Sequence, residues 1–384
     1  MNYNQDCIYF LSDRPCKFHK KNSKILCLNC KFYKPINKKI LIIKLAALGD
    51  VVRTTCILKP LYKKYKNSKI YWITENNAVE ILQNNPYIYE IIPYDGSFQL
   101  FNYKFDILIN LDLDTNALRL TKNIFAEKKY GFYLDQKDNI LCSNKSAEKW
   151  FELSHNDELK KQNKKTYQEF LMEILEFKNL EYTDYPIIIN LTKEEKLFAE
   201  KFIHDRIKNK TNFYFIGINL GGGDKWQKKE YPAELTVQLI RYILESKELK
   251  KDVKILLFGG KKEEDRNKKI ISLISTYYPS LINKIIDTKT ENTLRQFFAL
   301  LNLCDILVTS DTMALHIALA LKKKVVALFG PTSYNEIEMY GLGKKIVSSI
   351  DCVVCYNRSC SKKLDCMQKI SPKMIYKEII NLLK

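Results

Sequence analysis

The chain has 384 residues, enough for two domains, and 46% of them are hydrophobic, an ordinary globular share. No apolar run reaches the roughly 18 to 20 residues that span a bilayer, and the N-terminus lacks an apolar leader core, so a cytoplasmic chain without membrane spans is expected. The net charge of +19 is lopsided: residues 1–69 carry 16 Lys/Arg against 3 Asp/Glu, residues 322–384 carry 12 against 5, and two basic ends on a neutral middle predict an acidic partner such as an anionic membrane face, an acidic glycolipid or nucleic acid.

Residues 1–37 form a polar arm with Cys7, Cys16, Cys27 and Cys30, and with His19 among them. Cys27-Leu-Asn-Cys30 is a C-x-x-C pair, and the set suits a tetrahedral zinc or iron site that would help order a segment with no core of its own. The plain alternative is four reduced thiols on a loose arm, since cytoplasmic cysteines rarely pair as disulfides. The run 39–45 reads as a buried parallel strand. It ends in Ala46-Ala47-Leu48-Gly49-Asp50, after which apolar residues recur at helical spacing. Asp50 therefore stands at the mouth of a sheet beside a helix N-terminus, where a carboxylate serves as a cap or as a general base. Further strands are expected at 70–74, 88–93 and 105–111, with a helix near 77–83, and this alternation predicts a doubly wound α/β domain. Asp112-x-Asp114 resembles a metal-binding pair, but a lone D-x-D at a strand end is weak. Residues 135–165 show no clear strand and read as a loop or mobile insertion.

A helix over 167–175 and a charged helix over 193–209 lead to the second α/β unit. Its first strand, 213–220, runs straight into Gly221-Gly222-Gly223, followed by Lys225, Lys228 and Lys229. Glycines there let the backbone approach a diphosphate, and a lysine supplies a point charge. Strand 254–258 is followed by Gly259-Gly260 and the acidic run Glu263-Glu264-Asp265, where a carboxylate either bonds ribose hydroxyls or sits in a solvated first helical turn favoured by the dipole. Strand 305–308 feeds Ser310-Asp311-Thr312, expected to cap a helix that carries His316 one turn on. A strand end feeding a helix N-terminus is where open α/β sheets bind anionic ligands. In the tail, Cys352, Cys355, Cys360 and Cys366 are a second candidate metal set, and a last helix starts at 371–372.

Several of these residues stand together in one pattern: Leu48-Gly49-Asp50 after the first strand, Lys229-x-Tyr231-Pro232 after a glycine-rich loop, Gly259-Gly260-x-x-Glu263, and Asp311-Thr312-x-x-x-His316 followed by Val-Val-Ala-Leu-Phe-Gly-Pro-Thr. With the C-x2-C-x4-C-x5-C-Met tail, they make the chain from about residue 39 onward resemble the family 9 glycosyltransferases, the lipopolysaccharide heptosyltransferase family. The resemblance implies an α/β GT-B fold, in which two Rossmann-like domains face each other across a cleft. The first, 38–190, would take the acceptor and the second, 191–370, the nucleotide-sugar. The helix 371–384 would return to the first domain and bring the two basic ends to one side. It also implies an inverting transfer of a sugar, a heptose from ADP-heptose, to a lipopolysaccharide core or related cell-surface glycan, with no cofactor for the chemistry. By position, Asp50 matches the family's proposed base, Lys229 the lysine on the donor diphosphate and Glu263 the acid on the nucleoside. Asp311, Thr312 and His316 match the donor-binding turn, and Gly222 lies in the glycine-rich loop. Met313 departs from the family pattern, which has glycine there, and so does Ala46. The implied partners are a nucleotide-sugar and an acidic glycolipid or glycan, with peripheral docking on the inner membrane face and no nucleic acid. Some relatives glycosylate proteins such as autotransporters and carry cysteine-bound iron, which keeps a protein acceptor open. From another class, a metal-stapled nucleic-acid-binding protein is the remaining alternative.

Overall fold

A computed structural model describes residues 3–207, 212–222, 227–357, 359–360 and 365–384. The chain divides into two compact units. One comprises Met1–Ala47, Thr54–Phe151 and Leu171–Leu180, the other Leu48–Arg53, Glu152–Phe170 and Glu181–Lys384.

The first unit is built on six strands: β1 (Lys39–Ile43), β2 (Lys69–Thr74), β3 (Glu90–Pro93), β4 (Lys104–Asn110), β5 (Phe125–Leu134) and β6 (Ile140–Cys142). They lie in the order β3-β2-β1-β4-β5-β6. All the pairings are parallel except the last, β5 with β6. Ile40, Leu41, Ile42 and Ile43 are fully buried, because β1 has a strand on each side and cover on both faces. The second unit has β7 (Tyr214–Asn219), β8 (Val253–Leu257), β9 (Ile285–Asp287), β10 (Ile306–Ser310), β11 (Lys324–Phe329) and β12 (Gly343–Val347). Their order, β12-β11-β10-β7-β8-β9, is all parallel, and it is the arrangement of a Rossmann sheet read from the other edge.

Two expectations are corrected here. Residues 135–165 are not a loop: Ile140–Cys142 pairs with β5, and helices Lys145–His155 and Asp157–Gln162 follow. These helices bury little, Ala147 being the one buried residue between them, and charged residues dominate both. Local polar groups start them instead, as where Asn156 Oδ1 accepts from the Glu158 and Leu159 amides at 3.0 and 3.2 Å. Nor does the last helix, Pro372–Leu383, return to the first unit. Its buried Ile375, Ile379 and Leu383 belong to the core of the second unit, beside Ile240 and Leu244 of the helix Ala233–Leu244. Among the described residues no helix is long and apolar enough to cross a membrane.

Candidate active site

In the second sheet the chain order reverses between β7 and β10, and Thr309 is in register with Asn219 at the ends of those strands. Such a switch point is where open α/β sheets take ligands. A cavity of about 250 Å³ opens there, with Asn219, Gly221, Glu263, Phe297, Thr312 and Met313 in its wall. Gly221 is required by close approach, since a Cβ on it would stand 2.4 Å from Glu263 Cγ. Glu263 cannot easily give way, because its Oε2 accepts the Gly260 amide at 2.9 Å while its own amide bonds the Gly260 carbonyl oxygen at 2.9 Å. A fixed carboxylate and the Phe297 ring suit the polar and flat parts of a nucleoside.

Beside the cavity, Lys229 Nζ donates to Asp311 Oδ2 and to the Asp311 carbonyl oxygen, each at 2.8 Å. Thr332 donates to the same carboxylate oxygen at 2.6 Å, and Ser310 Oγ donates to the Lys229 carbonyl at 2.7 Å. Burial works against the charge on Asp311, but the Lys229 ammonium, His316 and the hydrogen bonds from Lys229 and Thr332 together hold the carboxyl well below its usual range. His316 is buried and its pKa is pushed down to about 3, first by burial and then by the Arg53 guanidinium. The imidazole is therefore neutral at any physiological pH.

Asp50 sits within the helix Leu48–Thr54, in its first turn. Its side chain is 39% exposed and its Oδ1 lies 3.3 Å from Arg53 Nη1. Arg53 is buried, bonds the Glu336 carbonyl at 3.3 Å and stacks 4.1 Å from the centre of the Tyr167 ring. The Tyr356 hydroxyl donates to Glu336 Oε1 at 3.2 Å, and burial raises the Glu336 pKa. Gly49 places this helix: a Cβ there would lie 3.0 Å from His316 Cδ2 and 3.7 Å from Met313 Cα. The residue before Asp50 thus packs on the first turns of the helix Met313–Ala320, whose start lines the cavity. A carboxylate, a lysine–carboxylate pair and a nucleoside-sized cavity are therefore contiguous within one unit.

Glu263 and Thr312 line the cavity, Lys229 and Asp311 pair beside it, and His316 packs under Gly49. Gly222 is buried and is not among the lining residues, while Gly223 and Lys225 lie outside the described residues. The expected capping by Ser310, Asp311 and Thr312 does not occur. Thr312 is the N-cap residue but makes no side-chain cap bond, and each of the three polar side chains is engaged elsewhere. Met313 opens the helix and is absent from the positive-φ residues, so the position asks nothing of glycine here. Asp112 is committed to Lys44 Nζ at 2.5 Å and the Leu45 amide at 2.6 Å, and Asp114 caps a helix through the Asn116 amide at 2.8 Å. The D-x-D pair is thus structural. Arg53, Glu336, Thr332 and Phe297 were missed. Only Arg53 left a trace in the sequence, three residues after Asp50 and so on the same helix face.

All eleven cysteines are free thiols. Among the described residues no three His, Cys, Asp or Glu side chains converge closely enough to hold one metal ion. In the tail, Cys352, Cys355 and Cys366 are half-buried and Cys360 is exposed, with residues 361–364 outside the described set.

Two Rossmann-like sheets, with a nucleoside-sized cavity at a switch point and a lysine beside it, are the parts of a nucleotide-binding enzyme of the GT-B fold. Residues 99–369 match Glycosyltransferase family 9 (heptosyltransferase), and the chain belongs to that family. It is 24% identical over 329 residues to lipopolysaccharide heptosyltransferase 1 of Campylobacter coli, covering 81% of this chain and 91% of the relative. Among solved structures, a family 9 glycosyltransferase from Veillonella parvula superposes with a TM-score of 0.67 at 19% identity, over 91% of this chain and 97% of that one. The ADP-heptose lps heptosyltransferase II of E. coli gives 0.65 at 17% identity, over 90% and 98%.

Proposed function

We propose that the chain transfers a heptose from ADP-heptose to a lipopolysaccharide inner-core acceptor, with inversion at the anomeric carbon. The reading is supported by its family and by relatives named as lipopolysaccharide heptosyltransferases. The single observation that carries the residue roles is the contact of Gly49 with His316 and Met313, which sets Asp50 next to the donor helix.

In this reading ADP occupies the switch-point cavity, with Glu263 on the ribose and Phe297 against the base. Asp50 takes the proton of the acceptor hydroxyl as that oxygen bonds the anomeric carbon. The bond from that carbon to the diphosphate breaks on the opposite face, and ADP leaves with the electron pair. Charge then grows on the diphosphate, where Lys229 and the amides at the start of Met313–Ala320 stabilise it. Neutral His316 adds no charge of its own and packs against the helix that carries Asp50. No metal or organic cofactor is needed for these steps. Basic residues in 1–69 give an acidic lipid-linked acceptor a favourable approach, and stronger flotation with anionic than with neutral liposomes is the expected sign.

The test is product analysis. Purified enzyme is incubated with ADP-heptose and either a heptose-free lipopolysaccharide acceptor or an autotransporter protein acceptor. A one-heptose mass gain on the lipid alone is expected. A gain on the protein alone would move the chain to the protein-modifying branch.

A further inference from the structure

The N-terminal arm poses a problem of stability. Among its described residues up to 37, Cys7 alone is buried, so the arm has no apolar core. Yet it is closed on itself. Ile8 N bonds the Lys34 carbonyl at 2.8 Å, Ile36 N the Asp6 carbonyl at 2.7 Å, and Asn4 Nδ2 the Cys27 carbonyl at 2.9 Å. Inside this closure lies a cavity of about 390 Å³, and Cys7, Cys16, Cys27 and Cys30 all line it. Four free thiols from three separate stretches of chain thus face one void.

A void of about 390 Å³ is larger than one ion fills. Zinc would need its four sulfurs drawn to about 2.3 Å from one point. No three metal-ligating side chains among the described residues converge to hold one ion. A void ringed by thiols suits a polynuclear core, in which iron and inorganic sulfide fill the middle and each iron is held at the rim. We propose that the arm binds an iron–sulfur cluster through Cys7, Cys16, Cys27 and Cys30.

The surroundings agree with an anionic, partly dry cluster. Phe18 and Phe32 stack at 4.0 Å and Tyr9 meets Phe18 edge-on at 4.9 Å, and these rings line the same cavity. An apolar shell of this kind limits solvent access. Four thiolates make the bound cluster net negative, and residues 1–37 offer seven Lys/Arg against two Asp. Lys17 Nζ lies 4.7 Å from the centre of the Tyr9 ring, on that wall. His19 also lines the cavity, and its Nδ1 is 3.0 Å from the Ile25 carbonyl oxygen, which fixes the ring. Binding releases the thiol protons and ties the separate stretches together, so the cluster supplies the order that the absent core does not.

The test is anaerobic purification of the full chain, with iron, acid-labile sulfide and zinc measured on the same sample. Equal iron and sulfide is expected, about two or about four of each per chain, with broad visible absorption. Cys27→Ser/Cys30→Ser should lower both roughly tenfold or more, and Cys352→Ser/Cys355→Ser should leave them in place. Stoichiometric zinc without sulfide would overturn the proposal. So would iron that follows the tail cysteines, or no metal even after anaerobic reconstitution. The wild-type ratio of iron to sulfide decides the matter even where the arm variant fails to fold.

Discussion

Lys229 grips Asp311 at two atoms, its Nζ 2.8 Å from the carboxylate and 2.8 Å from the main-chain carbonyl of the same residue. Both side chains are nearly buried, at 12% and 13% exposure. The lysine therefore waits beside the cavity with its charge already balanced, and a donor diphosphate draws on it without creating a new buried ion. Breaking a buried pair from one side costs about 3 to 5 kcal/mol. Lys229→Met should lose stability on that scale, and Lys229→Met/Asp311→Asn should lose less than the sum of the two single variants. Urea unfolding of the four proteins in a double-mutant cycle reads this directly.

Asp50 should divide chemistry from binding. Asp50→Asn keeps the shape and removes the base, so kcat should fall roughly 100- to 10,000-fold. The dissociation constant for the donor should stay within about twofold, because Asp50 is not among the residues lining the cavity. Steady-state rates and calorimetric titration with the donor separate the two effects.

Gly221→Ala tests the nucleoside side. The new methyl would stand 2.4 Å from Glu263 Cγ, and the carboxylate must leave its bond to the Gly260 amide. About tenfold weaker donor binding is expected, on the order of 1.4 kcal/mol, with kcat changed less. Unchanged affinity would remove Glu263 from the donor site.

Acid stability should show the buried histidine. The ordinary pKa of His316 is about 6.5, and in the fold it is pushed down to about 3. Between those values the unfolded chain holds a proton that the folded chain does not, so stability falls as pH falls. From pH 6.5 to 5 the loss should be about 1.6 kcal/mol. Asp311 acts in the same direction below its own ordinary value. Its carboxyl is held low in the fold by Lys229, against the effect of burial, so acid protonates the unfolded chain first. Urea midpoints across pH should slope downward to acid, and His316→Gln should flatten the part between pH 6.5 and 5.

The strands and turns of this molecule were largely legible, because β1, β2, β10 and β11 are apolar runs that end in turn or polar residues. β5 was not, since its Phe-Ala-Glu-Lys-Lys half is mostly exposed and lacks the continuous burial of a central strand. The polar helices 145–155 and 157–162 hid for the same reason. Within the site, Asp50, Asp311 and His316 stood out because each follows a strand end, whereas Lys229 and Glu263 were separated from their charged neighbours only by the family pattern. Arg53 and Glu336 could not be paired from sequence, as 283 positions separate them and only the fold brings the guanidinium to the Glu336 carbonyl. The capping role expected of Ser310, Asp311 and Thr312 failed because Lys229, Thr332 and Asn219 compete for those side chains.

The central claim is that the switch-point cavity takes ADP-heptose. Its most direct test is unfolding of the purified chain with ADP-heptose, GDP-mannose or UDP-glucose, and of Asp311→Ala beside it. At 100 times its dissociation constant a ligand adds about 2.7 kcal/mol. That gain is expected with ADP-heptose alone and should vanish in Asp311→Ala. No gain with ADP-heptose, or a gain that survives the substitution, would contradict the account.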